Sequence, residues 1–317
     1  MDISKLHVDQ ALTNLSIGYQ NAEFVAERVF PQFPVDKQSN KYFVHDMERF
    51  RVVDDHRRPG SAPGEIDWTL STDSYYCDGH GRRDVIPVED ISNADEAVDL
   101  EITSTETLTE QIYLAREVNL VAMLASGMSP TPLTSARWDV DSNDPIPVIE
   151  AAKENAQKLT GKRPNCLLLS RPVWRAVRNN ANVVGRITGA RQLADSLVIP
   201  SQFQELVEVD DLIIADAVKL TSVKGQTNAL DFIWGKYALL FYRPPAMGRK
   251  VLALGAHFRW NVLAWDPSNP DRQGGVGQFI EKWYSQDRKA TIIDACVYYD
   301  QKIISTAAGT MWSDCVS

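Results

Sequence analysis

The chain has 317 residues, 44% hydrophobic and 24% charged, with a formal net charge of -9. That is close to the soluble globular average and enough chain to bury a sizeable core, which excludes a fibrous, repetitive or mainly disordered protein. The acidic balance argues against a protein that grips nucleic acid over a broad surface, because that work needs clustered Lys and Arg against phosphate.

Residues 1 to 27 carry a weak helical rhythm (Leu6, Leu12, Leu15, Ile17) with too little apolar material for a core, and they read as an arm. The opening MDISKLHVDQ lacks the basic and then apolar pattern of a signal peptide, and no window approaches the ~18 apolar residues of a membrane span, so a soluble protein is expected. From Val29 to about Asp90 the chain is rich in Pro, Gly and Asp, with Pro31, Pro34, Pro59, Gly60, Pro63 and Gly64 separating short extended pieces. Ile66, Trp68 and Leu70 alternate with Asp67, Thr69 and Ser71, a strand pattern. So long an irregular stretch is unusual in one domain, and Tyr42, Phe43, Phe50, Trp68, Tyr75 and Tyr76 would be costly to leave in water. The segment needs a surface to lie on, in its own chain or in a neighbour.

The strongest helix follows, with Leu108, Ile112, Ala115, Val118, Ala122 and Ala125 on one stripe and Gly127 available as terminator. Its start is either a capping box at Thr103 and Glu106 or as early as Asp95, which gives a rod about 35 to 45 Å long. After a linker over 126–147 the pattern becomes mixed α/β. Val148, Ile149, Ala152, Ala156 and Leu159 mark a helix closed by Gly161, followed by a buried strand from Cys166 to Leu169 and a short helix opened by Ser170 and Pro172. Further strands are predicted at 212–214, 232–234 and 237–242, with the clearest alternation at Leu252, Leu254, Ala256, Phe258, Trp260 and Val262. Asp266 to Gly277 interrupts the pattern. Phe279 to Trp283 and the strand Ile293, Ala295, Val297, Tyr299 then return to the long helix, so one domain is entered, left and re-entered.

Searches for chemistry mostly fail. Gly161-Lys162-Arg163 lacks the earlier glycine and the hydroxyl of a phosphate loop, and Gly274, Gly275 and Gly277 do not lie in a βαβ unit. No G-x-S-x-G elbow occurs, and His7, His45, His56, His80 and His257 fall mostly in the arm and extended region. Cys77, Cys166, Cys296 and Cys315 show no C-x-x-C pair and no His at ligand spacing, which fits a reducing cytoplasm without zinc site or disulfide framework. Asp139, Asp141, Asn143 and Glu150 match positions 1, 3, 5 and 12 of a calcium loop, but Asp144 stands where glycine is needed and Pro145 and Pro147 stiffen the wrap. An acidic linker whose Asp144 starts the next helix is the better account. No catalytic residue, metal or cofactor is assigned.

The order of arm, extended loop, long helix, α/β domain and returning strands resembles the major capsid proteins of tailed bacteriophages. The stretches VAERVFPQFPVDKQSNKYFVHD, LSTDSYYCD and ATIIDACVYYDQKIISTAAGTMW look like those of a subgroup without a fused N-terminal scaffold. The resemblance implies an α+β fold of the Hong Kong ninety-seven type. It places the N-terminal arm at 1–40, the extended loop at 41–92, the peripheral domain with its spine helix at 93–135 and 264–317, and the axial domain at 136–263. It also implies hexamers and pentamers forming an icosahedral virion shell around double-stranded DNA, without tight specific DNA binding and without a membrane. Assembly in the host bacterial cytoplasm, with a portal, a separate scaffold and a decoration protein as partners, is part of the same expectation. Phe43, Phe50, Arg51, Arg57, Arg58, Trp68, Arg82 and Arg83 are the candidate contacts between subunits. Some family members cross-link a loop lysine to an asparagine, but Tyr42 to Asp90 contains no lysine, so noncovalent interlocking is expected here. An encapsulin-like compartment shares the implied fold and is the nearer rival; a soluble α/β enzyme is the distant one.

Overall fold

The computed structural model describes residues 7–8, 24–44, 52, 56, 59–60, 71–93, 97–188, 198–222, 225–227, 229–248, 251–261 and 278–317. Its helices are α1 (Ala26–Val29), α2 (Val88–Asn93), α3 (Ala97–Gly127), α4 (Pro145–Thr160), α5 (Arg171–Asn179), α6 (Ala181–Thr188) and α7 (Pro200–Val207). Two larger sheets and two ribbons complete it, in the α+β arrangement expected. No helix among the described residues is long and apolar enough to cross a membrane.

The five-stranded sheet runs β6 (Thr131–Pro132), β15 (Gly309–Ser313), β11 (Ala238–Phe241), β7 (Cys166–Ser170), β8 (Asp211–Ala215). Every residue of β7 and β11 is buried, as in a strand covered on both faces. Alternation sorts them: Leu167, Leu169, Ala238 and Leu240 pack against α4 to α7, whereas Cys166, Leu168, Leu239 and Phe241 pack against α1 and the C-terminal half of α3. Asp144 caps α4 by accepting from Ile146 N–H at 3.0 Å, and Gly161 ends it in the left-handed region at φ 70°.

The six-stranded sheet is built on β14 (Ala290–Ile303). One edge of β14 pairs with β13 (Gln278–Ser285) and then β12 (Gly255–Trp260), and the other with β5 (Asp78–Pro87). β1 (His7–Val8) adds to β13, and β2 (Gln32–Val35) runs parallel to β12. Ile293, Ala295, Val297 and Tyr299 face α3 at Leu108 and Ile112, as the alternation predicts. Gly255 is required by close approach: a Cβ there would lie 2.7 Å from the Lys302 carbonyl oxygen and against the Phe30 ring.

The long helix thus lies across both sheets; its start at Ala97 is close to the earlier of the two expected starts, and its buried stripe differs from the expected one. Thr103 is inside the helix, not its cap; the Thr-rich run is accommodated because Thr105, Thr107 and Thr109 donate to the carbonyls of Glu101, Thr103 and Thr105. The buried track runs through Thr105, Thr109, Ile112, Arg116, Glu117, Leu120 and Leu124, while Ala122 is exposed. Two charged residues on that track hide it from a search for apolar spacing. The strand predicted at 232–234 is β10 (Leu230–Phe232), with Trp234 in the following turn, and β15 leaves the β14 sheet for the β7 sheet.

Candidate functional site

Three places gather polar or aromatic groups beyond what core packing requires. The first is on the spine helix α3, where Arg116 and Glu117 are buried. Glu117 Oε2 accepts from the backbone N–H of Val25 at 3.1 Å and of Ala26 at 2.7 Å, and Oε1 accepts from Trp234 Nε1–H at 2.5 Å. These amides open α1, where a carboxylate satisfies donors that no helical carbonyl can reach. Burial raises the Glu117 pKa, and the Trp234, backbone and Arg116 contacts pull it back. Arg116 pairs with Glu27 at 2.8 Å and lies 4.6 Å over the Tyr113 ring. The N-terminal segment, the spine and the turn after β10 therefore meet at one charged clasp. Beside it His257 is fully buried with its ring 4.9 Å from Tyr299, and burial, with Arg116, Arg259 and His80, holds its pKa well below the usual range.

The second place is a two-stranded ribbon. β3 (Ser39–Val44) and β4 (Ser71–Tyr76) pair as an antiparallel ribbon, and the chain passes from β4 into β5. Tyr42 and Tyr75 set their rings 5.3 Å and 4.6 Å from Phe258, and Tyr76 N–H donates to Asp300 at 3.0 Å. Tyr42 also donates to Asp73 at 2.9 Å; burial raises the Tyr42 pKa, and the Ser74 amide lowers that of Asp73. A groove of about 400 Å³ opens here, lined by Val35, Lys37, Lys41, Tyr42, Tyr75 and Phe258 among others.

The third is the face of the β14 sheet turned away from the spine. Arg83 grips Asp294 with two bonds of 2.6 Å and lies 5.0 Å over Trp283. That bidentate pair raises the Arg83 pKa.

Nothing in these places is arranged for nucleophilic chemistry. Burial pushes the thiols up, to about 12 for Cys77 and Cys315 and about 11 for Cys166 and Cys296, far from a reactive thiolate. Among the described residues no group of three His, Cys, Asp or Glu could hold a metal ion. The calcium-like residues are engaged separately: Asp139 accepts from Ser317 N–H, Asp141 from Ala181 N–H, Asn143 donates to the Arg137 carbonyl, and Glu150 accepts from Lys153.

Of the candidate contact residues, Arg82 and Arg83 lie on β5, and Phe43 lies on β3 opposite Thr72. Phe50, Arg51, Arg57, Arg58 and Trp68, with the strand pattern at 66–70, lie outside the described residues. Sequence reasoning missed Glu117, Arg116 and Trp234. Two adjacent charges inside an otherwise apolar helical track were the available signal.

No family model matches the sequence. Two curated relatives do: the major capsid protein of Pseudomonas phage JBD67, 28% identical over 74% of this chain and 77% of the relative, and that of Burkholderia phage BcepMu, 27% identical over 78% and 80%. The fold matches the crystal structure of a phage-related protein from Bordetella bronchiseptica with a TM-score of 0.73, at 21% identity and 98% of both chains. The chain is thus similar to phage major capsid proteins over about three quarters of its length, and its fold is that of a phage-related protein. The capsid fold extends to the encapsulin SrpI of Synechococcus elongatus, which matches with a TM-score of 0.53 at 11% identity over 93% of this chain and 88% of the other.

Proposed function

We propose that many copies of this chain assemble, as hexamers and pentamers, into the icosahedral shell that encloses phage double-stranded DNA. The match to capsid relatives over about three quarters of this chain and of each relative carries the reading. Residues 1–40 act as the arm and 41–92 as the loop reaching over a neighbour. Residues 93–135 and 264–317 form the peripheral domain, and 136–263 the axial domain. The sheets cross these bounds: β12 joins the β14 sheet, and β6 and β15 join the β7 sheet. Phe43, Phe50, Arg51, Arg57, Arg58, Trp68, Arg82 and Arg83 serve contacts between subunits. A portal, a separate scaffold and a decoration protein are the further partners, and assembly takes place in the bacterial cytoplasm.

An encapsulin-like compartment is the second reading, since an encapsulin shares the fold. Both curated relatives are phage proteins, which favours the virus. Electron microscopy with nucleic-acid analysis of particles from the source tests the choice: DNA inside and a portal vertex support the virion, and a cargo protein without DNA overturns it.

A further inference from the structure

Strands β9 (Val218–Leu220) and β10 (Leu230–Phe232) form a sheet of two strands with no third partner among the described residues. Their register sets Val218 opposite Phe232 and Leu220 opposite Leu230, with Lys219 opposite Asp231 between them. Alternation puts the four apolar side chains on one face and the two charges on the other. The apolar face is open: Val218 is 38% exposed, Leu220 53% and Leu230 68%. Among the described residues eleven large apolar side chains stay exposed, and three of them stand on these six residues, which makes a patch and not scatter. A lone two-stranded ribbon is marginal in water, so this face gains from being covered.

The root of the ribbon is rigid. Asp216 is paired with Arg171 just before β9, Ile233 N–H donates to the Ala217 carbonyl at 3.0 Å, and Trp234 is fully buried against Glu117. A projection held this way loses little freedom on docking.

We infer that the Val218, Leu220 and Leu230 face of the β9–β10 ribbon is a contact between subunits, seated on a second copy of this chain in the same ring. The inference rests on the shell function proposed above and names a surface for it. Area favours a second copy over a permanent partner: three such side chains cover on the order of 200 Å², far below the roughly 800 Å² per partner of a lasting pair. A contact that small is useful where symmetry repeats it around a closed ring alongside other contacts.

The test uses the full-length chain under conditions where the wild type forms particles. Leu220→Asp with Leu230→Asp should leave the subunit folded, with an unchanged circular dichroism spectrum, and lower the assembled fraction in sedimentation at least tenfold. Lys219→Ser with Asp231→Ser, on the opposite face, should assemble within twofold of wild type. A photo-crosslinking amino acid in place of Leu230 should give subunit dimers in particles, a readout that does not depend on the aspartate variants folding. Normal assembly of the Leu220→Asp, Leu230→Asp chain, or crosslinks confined to its own chain or to a different protein, would overturn the inference and leave the shell function standing. A wild-type chain that assembles under no condition would instead defeat the shell function itself.

Discussion

The two large sheets are finished to different degrees. The β7 sheet is covered on both faces, by α4 to α7 on one side and by α1 and the spine on the other, so its strands are buried end to end. The β14 sheet is covered along one face by the spine, and on the other only at its β12 end, where the β3–β4 ribbon lies on Phe258. Its other face carries Arg83, Trp283 and Asp294, and its edge strand β5 is mostly exposed. One sheet contains its own partners; the other leaves aromatic and charged groups at a surface that neighbouring copies can use. Substitutions in the first region, and at the spine that joins the two, should therefore act on folding, and those in the second on assembly.

The clasp should show the largest folding effect. Glu117→Ala leaves two amides and the Trp234 N–H unpaired in the core, and a urea titration should show a loss of roughly 3 kcal/mol. Glu117→Gln should recover only part, because one carbonyl oxygen cannot serve all three donors. Gly255→Ala comes next, with about 1–3 kcal/mol lost by the same measurement, since the Lys302 carbonyl is backbone and cannot step aside.

Acid sharpens the comparison further. His257 is held well below its ordinary pKa of 6.5, so the unfolded chain takes up a proton that the folded chain refuses. Its contribution is fully present above pH 6.5 and is lost as pH falls toward the depressed value, at up to about 1.4 kcal/mol per pH unit. His80, lowered by burial, acts in the same direction. Glu117, with a raised pKa, acts in the opposite one: its contribution is present at low pH and fades as pH rises through the raised value. Thermal melts should fall on acidification, and His257→Gln should flatten that fall.

The smallest folding effect belongs to the open face. Arg83→Ala removes a half-exposed ion pair and should cost no more than about 1 kcal/mol, while particle yield in the same preparations drops. A large stability loss without an assembly defect would erase the distinction between the sheets. Covalent joining provides a separate check: with no lysine from Tyr42 to Asp90, boiled particles should run as monomers on a denaturing gel, and a ladder of multimers would contradict noncovalent interlocking.

Local chemistry was legible in the sequence wherever a rule acts within a few residues. Asp144 and Gly161 bound α4, and the alternation from Ile293 to Tyr299 marks the face that meets the spine. Partners distant in the chain were not legible. Glu117 and Trp234 are 117 residues apart, and a charge inside a helix reads as solvated until the amides it satisfies are known. The destination of β15 is equally hidden, because an apolar strand carries no mark of which sheet it joins. The β3–β4 ribbon was half legible: the aromatic residues announced a need for cover, and Phe258 supplies it for Tyr42 and Tyr75 within the chain.

Electron microscopy of the purified wild-type chain under assembly conditions should show closed icosahedral shells with hexamers and pentamers, in which the Arg83 and Trp283 face of the β14 sheet lies against neighbouring copies; a folded protein that remains monomeric at every concentration and salt condition would contradict the shell function.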